Sequence, residues 1–110
     1  MHDGERMKGG MNSIVRQAQK MQAQIAKVQD EIGKKKVEAS TGGGVVTAVV
    51  NGKQELLDIR IDPEVLNPED VELLQEMIVG AVNQAMKTAA DMMDTEVEKI
   101  TGGLSIPGLI

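Results

Sequence analysis

Residues 40–52 read STGGGVVTAVVNG, and this stretch decides the fold because it holds a strand between two turn signals. Residues 45–50 are rich in β-branched side chains and predict a strand. Glycines 42–44 come before it, where a turn needs positive φ angles that glycine adopts freely. Asn51-Gly52 comes after it and predicts a two-residue hairpin loop. The stretch therefore predicts the centre of an antiparallel sheet.

The three glycines do not have the context of a phosphate-binding loop. Such a loop leads into a helix whose N-terminus faces the anion, and its Walker form ends in Gly-Lys-Ser/Thr. Here a strand follows the glycines, and the next helix signal comes at about Asn67. We interpret glycines 42–44 as a turn between two strands.

Two more strands flank the central one. The first is predicted over about residues 35–40 and the third over about residues 53–61. In the third strand, apolar residues alternate with charged ones, namely Leu57, Ile59 and Ile61 with Asp58 and Arg60. Three antiparallel strands with one apolar face need a helical layer to cover them.

The residues before the sheet predict a long helix from Met11 to Gly33. Its apolar residues recur at alternating spacings of four and three, as in a coiled-coil seam: Ile14, Ala18, Met21, Ile25, Val28 and Ile32. Asn12 or Ser13 caps the start, and Gly33 ends the helix. Because the seam is narrow, we expect this helix to project from the body or to pair along its length.

The residues after the sheet predict a second long helix. Asn67-Pro68-Glu69-Asp70 combines a cap residue, a proline at the first helical position and an acid three residues after the cap. The predicted buried stripe is Val71, Leu74, Ile78, Ala81, Val82, Ala85 and Ala89, continued by Met92, Met93, Val97 and Ile100. Gly80 indicates a kink or close packing, and Gly102-Gly103 ends the helix. At about 45 Å the helix is longer than the sheet is wide.

The predicted fold is therefore α+β, in the order α-β-β-β-α. A three-stranded antiparallel sheet bears two long helices that pack together as protruding arms, and a dimer covers the remaining apolar surface. We divide the chain into a flexible N-terminal tail (1–10), a single α+β domain (11–101) and an apolar C-terminal tail (102–110).

Composition excludes several classes of function. The chain has 110 residues with no cysteine, so it has no disulfide, thiol nucleophile or thiolate metal site. It has one histidine, and its carboxylates lie on helix termini and faces, so we expect no enzyme activity, metal site, cofactor or small-molecule substrate. Without Phe, Tyr or Trp, it cannot stack nucleic-acid bases on aromatic rings. The sequence has no run of 18 apolar residues, and we expect a soluble cytoplasmic protein that binds no membrane.

Charge is distributed unevenly along the chain. Residues 1–36 have eight basic and four acidic side chains, whereas residues 37–110 have four basic and thirteen acidic ones. On the heptad frame Lys20, Lys27 and Lys34 occupy one position in successive repeats, and Arg16 lies one turn before Lys20. This basic stripe faces away from the seam and ends in the cluster at residues 34–36.

Three interpretations of the basic stripe are open. The first is that the stripe is the solvated face of a paired helix. The second is that it forms a row of contacts to the phosphates of a nucleic-acid duplex. The lysines at 34–36 have a third use, protection of a sheet edge.

Four stretches together resemble the YbaB/EbfC family of bacterial nucleoid-associated proteins. They are MNSIVRQAQKMQAQIAKVQDEI at 11–32, VEASTGGGVVTAVVNGKQELLDIRIDPEVL at 37–66, NPED at 67–70 and TGGLSIPGLI at 101–110. The similarity covers nearly everything from about residue 9 onward, and the order and spacing of the stretches are more specific than any one of them.

The resemblance implies a tweezer-shaped homodimer that binds duplex DNA, alters its conformation and associates with the nucleoid in the cytoplasm, with gene expression as a further expected effect. The arms formed by the first and last helices are the implied DNA-binding region. The candidate DNA-binding residues are Arg16, Lys20, Lys27, Lys34, Lys35, Lys36, Lys87 and Lys99. Because the last helix is mostly acidic, we expect the first helix to dominate, with weak, salt-sensitive binding.

Two other functions are open. One is a dimeric helical interaction module that holds a protein partner without binding DNA, which the eight methionines and the apolar LSIPGLI segment suggest. The other is RNA binding through the same lysines.

Overall fold

The computed structural model describes residues 2–65 and 67–102 of the chain. The elements are α1 (His2–Gly33), β1 (Lys36–Thr41), β2 (Val46–Asn51), β3 (Leu56–Ile61), two short 3₁₀ turns (Pro63–Val65 and Pro68–Asp70) and α2 (Val71–Thr101). The strands form one antiparallel sheet in the order β1-β2-β3. The predicted α-β-β-β-α order is confirmed.

The core lies between one face of the sheet and the middle of α2. Its buried residues are small, namely Ala39, Val46, Ala48 and Val50 from the sheet and Ala81, Ala85 and Ala89 from α2. Alanines four residues apart form one stripe on a helix and let its backbone approach the sheet closely. Gly80 continues this close approach, because a Cβ there would lie 3.4 Å from the Thr41 Cγ2 atom. The Thr41 hydroxyl also donates a 2.6 Å hydrogen bond to the Met77 carbonyl.

The first turn of the sheet is as predicted. Gly42, Gly43 and Gly44 have φ angles of 65°, 71° and 98°, which a residue with a side chain rarely adopts. They connect β1 directly to β2, and no helix follows them.

The second turn differs from the predicted two-residue loop. The Asn51 N–H donates to the Glu55 carbonyl at 3.0 Å, so the loop contains three residues, and Gln54 takes the left-handed conformation with φ 61°. This is a three-residue hairpin whose last residue is left-handed. Gly52 is buried against the C-terminal end of α1, where a Cβ would collide with the Ile32 carbonyl. The close contact with α1 therefore explains why position 52 holds a glycine.

The predicted alternation of β3 is interrupted where β3 meets the hairpin. The register between β2 and β3 shifts between Val49 and Val50, and Leu56 pairs with Val50. Leu57 is consequently exposed, whereas Ile59 and Ile61 pack against the core. A bulge of this kind adds one residue to a strand and changes which side chains face the core.

The helix termini agree with the predicted signals except at the start of α1. The Asn67 side chain caps the 3₁₀ turn before α2, where it accepts a hydrogen bond from the Glu69 N–H at 3.1 Å, and Gly102 ends α2 in a left-handed conformation. Val71, the first residue of α2, is exposed, contrary to the predicted stripe. α1 begins at His2 rather than at Met11, nine residues before the predicted start. The predicted C-terminal tail beyond Gly102 lies outside the described residues.

The two helices pack together over only part of their length. Ile25 and Ile32 are each 5% exposed, whereas Ile14 is 67% exposed. Val28 and Ile100 line the same groove between the helices, so α1 and α2 run antiparallel and α2 ends beside the middle of α1. The predicted pairing is thus confirmed for the second half of α1, and its first half extends past the end of α2. The molecule measures 82 × 20 × 16 Å.

Candidate nucleic-acid interface

The segment of α1 that extends past α2 is an exposed basic surface of the arm. We call residues 11–20 the α1 tip, and every one of them is exposed. It contains Arg16 and Lys20 together with polar side chains, and the sequence has no carboxylate between Glu5 and Asp30. Uncompensated positive charge on a projecting rod attracts polyanions with little obstruction.

The other predicted cations of the first helix region have acidic neighbours. The Lys27 Nζ lies 3.9 Å from a Glu31 carboxylate oxygen, and the Lys34 Nζ lies 3.1 Å from a carboxylate oxygen of Asp30. Both pairs are exposed, so each contributes little stability, and each reduces the positive potential near its lysine. Among the side chains that the structure describes, no carboxylate lies within 4.0 Å of the charged group of Arg16 or Lys20.

The lysine cluster at residues 34–36 does not continue the helical stripe. α1 ends at Gly33, so Lys34 and Lys35 lie in the connection and Lys36 begins the edge strand β1. The position of Lys36 agrees with the edge-protection interpretation. The cluster has an additional neighbour that sequence reasoning missed, because the aliphatic part of Lys53 packs over Gly33.

The two candidates on α2 are both held by carboxylates. The Lys87 ammonium donates a 2.9 Å hydrogen bond to Asp91, which raises the pKa of Lys87 above its ordinary value. The Lys99 ammonium donates a 2.9 Å hydrogen bond to Glu96. That hydrogen bond lowers the pKa of Glu96, and the charges of Lys99 and Lys35 lower it further against the opposing effect of burial.

The structure brings Lys27 and Lys99 together and leaves Lys87 apart. Lys27 and Lys99 line one groove between α1 and α2, with a volume of about 390 Å³. Lys87 belongs to the part of α2 that covers the sheet, since it lies between the buried residues Ala85 and Ala89. The exposed carboxylates of Asp91, Asp94 and Glu98 make this helix a poor surface for a polyanion.

The polar side chains beside Arg16 and Lys20 were not among the predicted site residues. Asn12, Ser13, Gln17 and Gln19 are exposed on the same α1 tip. Amide and hydroxyl side chains donate hydrogen bonds to phosphate oxygens and position a protein on a duplex. The glutamine-rich, carboxylate-free composition of residues 6–29 is the signal that could have identified them.

The described residues hold no other candidate for chemistry at the arm. They include no group of three histidine or acidic side chains placed to bind a metal ion. None of their helices has the length and apolar character needed to cross a membrane. A largely apolar cavity of about 470 Å³ lies at the opposite end of the molecule, between the glycine turn and α2, and is lined by Val45, Leu73, Leu74 and Met77 among others.

Comparisons with known proteins identify a matching family and several relatives. Residues 7–104 match the model of the YbaB/EbfC DNA-binding family. A nucleoid-associated protein of Clostridium novyi is 52% identical over 94% of this chain and 92% of its own length. One from Pelotomaculum thermopropionicum is 50% identical over 94% of this chain and 98% of its own length. The crystal structure of an uncharacterized protein from Helicobacter pylori superposes with a TM-score of 0.68 at 25% identity, covering 77% of this chain and 89% of that one.

Proposed function

This chain belongs to the YbaB/EbfC DNA-binding family, which is not an enzyme family, and we propose that it binds duplex DNA as a homodimer through α1. Binding rests mainly on contacts to phosphates, and it alters the conformation of DNA in the nucleoid, within the cytoplasm. The observation that supports this most strongly is the projecting α1 tip, on which Arg16 and Lys20 are exposed without acidic partners among the described side chains.

The spacing of the basic residues on α1 suits a duplex backbone. From Arg16 to Lys27 the helix rises about 16 Å, which corresponds to about five base-pair steps of B-form DNA. Long, flexible basic side chains over this length can each reach a phosphate. Contacts of basic side chains to phosphates position a protein on a duplex without reading its sequence.

The homodimer is proposed because the single chain has a small core and exposes large apolar residues. The largest fully buried side chains are those of Val46 and Val50. Leu73 on α2 and Leu57 in the sheet are about half exposed, at 52% and 48%. A second copy that covers such residues adds apolar burial that the single chain lacks. Two arms on one body then contact a duplex at two places, which is how a dimer alters its path.

The experiment is a titration of duplex DNA at several salt concentrations, comparing the parent with the double variant Arg16→Gln/Lys20→Gln. Each phosphate contact contributes about 0.9 to the slope of log affinity against log salt. Losing two contacts lowers the slope by about 1.8 per protomer, and raises the dissociation constant most at low salt. Circular dichroism and light scattering establish that the variant keeps its helices and oligomeric state.

A matched comparison is the double variant Lys87→Gln/Lys99→Gln, which removes the same charge from α2. Because both lysines are hydrogen-bonded to carboxylates, we expect a smaller change of slope than for the α1 variant. If the folded α1 variant has the same salt slope and affinity as the parent, the α1 tip is not the DNA-binding surface. Matched duplex RNA as competitor in the same titration tests the RNA-binding alternative.

The module that holds a protein partner is the second candidate function. The apolar cavity beside Leu73 and Met77 favours it, because grooves of this character accommodate apolar side chains of other proteins. Absence of DNA binding by the parent at low salt favours this candidate over the first.

A further inference from the structure

Asn51 differs from the other asparagines of the chain because a glycine follows it. Asn12, Asn67 and Asn83 are followed by serine, proline and glutamine. A backbone nitrogen can attack the side-chain amide carbon of the asparagine before it, and glycine obstructs this attack least because it has no side chain. Proline has no N–H to lose in such a reaction. Asn51 therefore has the chemistry of a site of spontaneous deamidation, which the proposed function does not use.

The hairpin between β2 and β3 holds the Asn51 side chain in one orientation. The Asn51 Oδ1 atom accepts hydrogen bonds from the Lys53 and Glu55 N–H groups, both at 3.0 Å. The Asn51 Nδ2 atom donates to the Glu55 Oε1 atom at 3.1 Å. Both polar atoms of the amide thus have partners, and the amide carbon can turn toward the Gly52 nitrogen only when these hydrogen bonds are given up.

The backbone at Asn51 also opposes the attack. Asn51 is the last residue of β2, and an extended backbone turns the Gly52 nitrogen away from the side-chain carbon. Closing a five-membered ring requires rotation about the Asn51 Cα–C bond, and this rotation moves Gly52. Gly52 is buried against the end of α1, where a Cβ would lie 2.6 Å from the Ile32 carbonyl carbon. The rotation therefore requires the hairpin to leave α1.

We infer that Asn51 is a deamidation site whose reactivity is controlled by the contact between the hairpin and α1. When the two separate, the Gly52 nitrogen bonds to the Asn51 Cγ atom, the bond from Cγ to Nδ2 breaks, and the Gly52 N–H proton leaves with Nδ2 as ammonia. Water then adds across one C–N bond of the cyclic imide and gives aspartate or isoaspartate. Water is the only other reagent, and the inference does not depend on DNA binding.

The product weakens the contact that protects Asn51. A carboxylate at position 51 has no N–H to donate to Glu55, and it places a second negative charge beside the Glu55 carboxylate. Isoaspartate also adds one carbon to the backbone directly before Gly52, where the Ile32 carbonyl leaves no free space. Deamidation therefore makes the separation of the hairpin from α1 more frequent, and it is not reversed by refolding.

The test measures deamidation at Asn51 in the full-length protein, by digestion and mass spectrometry after incubation at mildly alkaline pH. The reference is the free peptide VVNGKQEL, residues 49–56. The variant Ile32→Ala removes a side chain that is 5% exposed and fixes the end of α1, and it leaves Asn51 and Gly52 unchanged. The matched control is Ile14→Ala, which truncates an isoleucine that is 67% exposed on the same helix.

We expect the parent to react about a hundredfold more slowly than the peptide, a ratio that corresponds to about 2.8 kcal/mol. Ile32→Ala should react about tenfold faster than the parent, and Ile14→Ala should react at the parent rate. Ile32→Val replaces Ile32→Ala if circular dichroism shows that the alanine variant has lost its helices.

Two outcomes overturn the inference. A parent that reacts as fast as the peptide would mean that the folded hairpin does not protect Asn51. Equal rates in the parent and in the folded Ile32 variant would mean that the contact with α1 does not control the reaction. A third measurement checks the product, because Asn51→Asp should melt at a lower temperature than the parent. An unchanged melting temperature would overturn the proposed effect of deamidation on the hairpin.

Discussion

Replacement of Gly52 by alanine tests how α1 is attached to the body. Gly52 lies at the hairpin between β2 and β3 and is buried against the end of α1. A Cβ at this position would lie 2.6 Å from the Ile32 carbonyl carbon and 3.1 Å from the Gly33 Cα, and closer still to the Ile32 carbonyl oxygen. These are backbone atoms at the end of a helix, so they cannot move aside as the end of a side chain can. In the Gly52→Ala variant, the hairpin and the end of α1 must therefore move apart.

The expected cost follows from the contact. One extra methyl group forced into a packed site costs about 1–3 kcal/mol, and a collision with backbone belongs near the upper end of that range. For a domain of this size, about 3 kcal/mol lowers the melting temperature by about 12–24 °C. Gly80→Ala is the matched control, because its added Cβ would meet only the Thr41 methyl group at 3.4 Å. Alanine is favoured over glycine inside a helix by about 1 kcal/mol, so we expect this variant to melt at or above the parent temperature.

The assay is thermal unfolding followed by circular dichroism at one fixed protein concentration, since association would shift the midpoint. A Gly52→Ala variant that melts with the parent would refute the proposed contact between the hairpin and α1. Gly52 is not among the residues with positive φ, so the expected cost of alanine comes from the contact with α1 and not from backbone conformation.

Three further changes have expected outcomes of their own. Ile25→Ala empties a site that is 5% exposed and should cost about 2–5 kcal/mol in urea unfolding, whereas Val15→Ala, at a position 50% exposed on the same helix, should cost less than about 1 kcal/mol. Thr41→Val removes the hydrogen bond to the Met77 carbonyl and should cost about 0.5–1.5 kcal/mol, with no change in the urea m-value. Glu96 has a pKa lowered from its ordinary value of 4.5, so its stabilising effect is present above that pH and is lost as the pH falls through the lowered pKa. The stability difference between the parent and Glu96→Gln should therefore shrink below pH 4.5, and a difference that is constant down to pH 3 would contradict the ion pair with Lys99.

Part of the candidate site could be predicted from the sequence, and part could not. The positive charge of Arg16 and Lys20, and the acidic character of α2, follow from residue identity alone. The ion pairs of Lys27, Lys34 and Lys87 are also local, since each partner lies four residues away on the same helix or next to its end. The approach of Lys53 to Gly33, and of Lys99 to Lys27, depends on how the hairpin and α2 pack against α1.

The amino-acid sequence by itself determined the type and order of the elements, because these depend on residues only a few positions apart. The seam from Ile14 to Ile32 specifies a helix by its spacing, the β-branched run at 45–50 specifies a strand, and glycines 42–44 specify a turn by their conformational freedom. The family is also evident in the sequence, since its characteristic stretches are continuous along the chain.

Only the tertiary structure decided which of these residues meet. The same seam is buried at Ile25 and exposed at Ile14, because α2 ends beside the middle of α1. Leu57 is exposed because the β2–β3 register shifts at one position. Position 52 requires glycine because a Cβ there would collide with the carbonyl of Ile32, a residue 20 positions earlier in the chain. Local preference cannot specify such contacts, because their energy depends on the distance between elements that are remote in sequence.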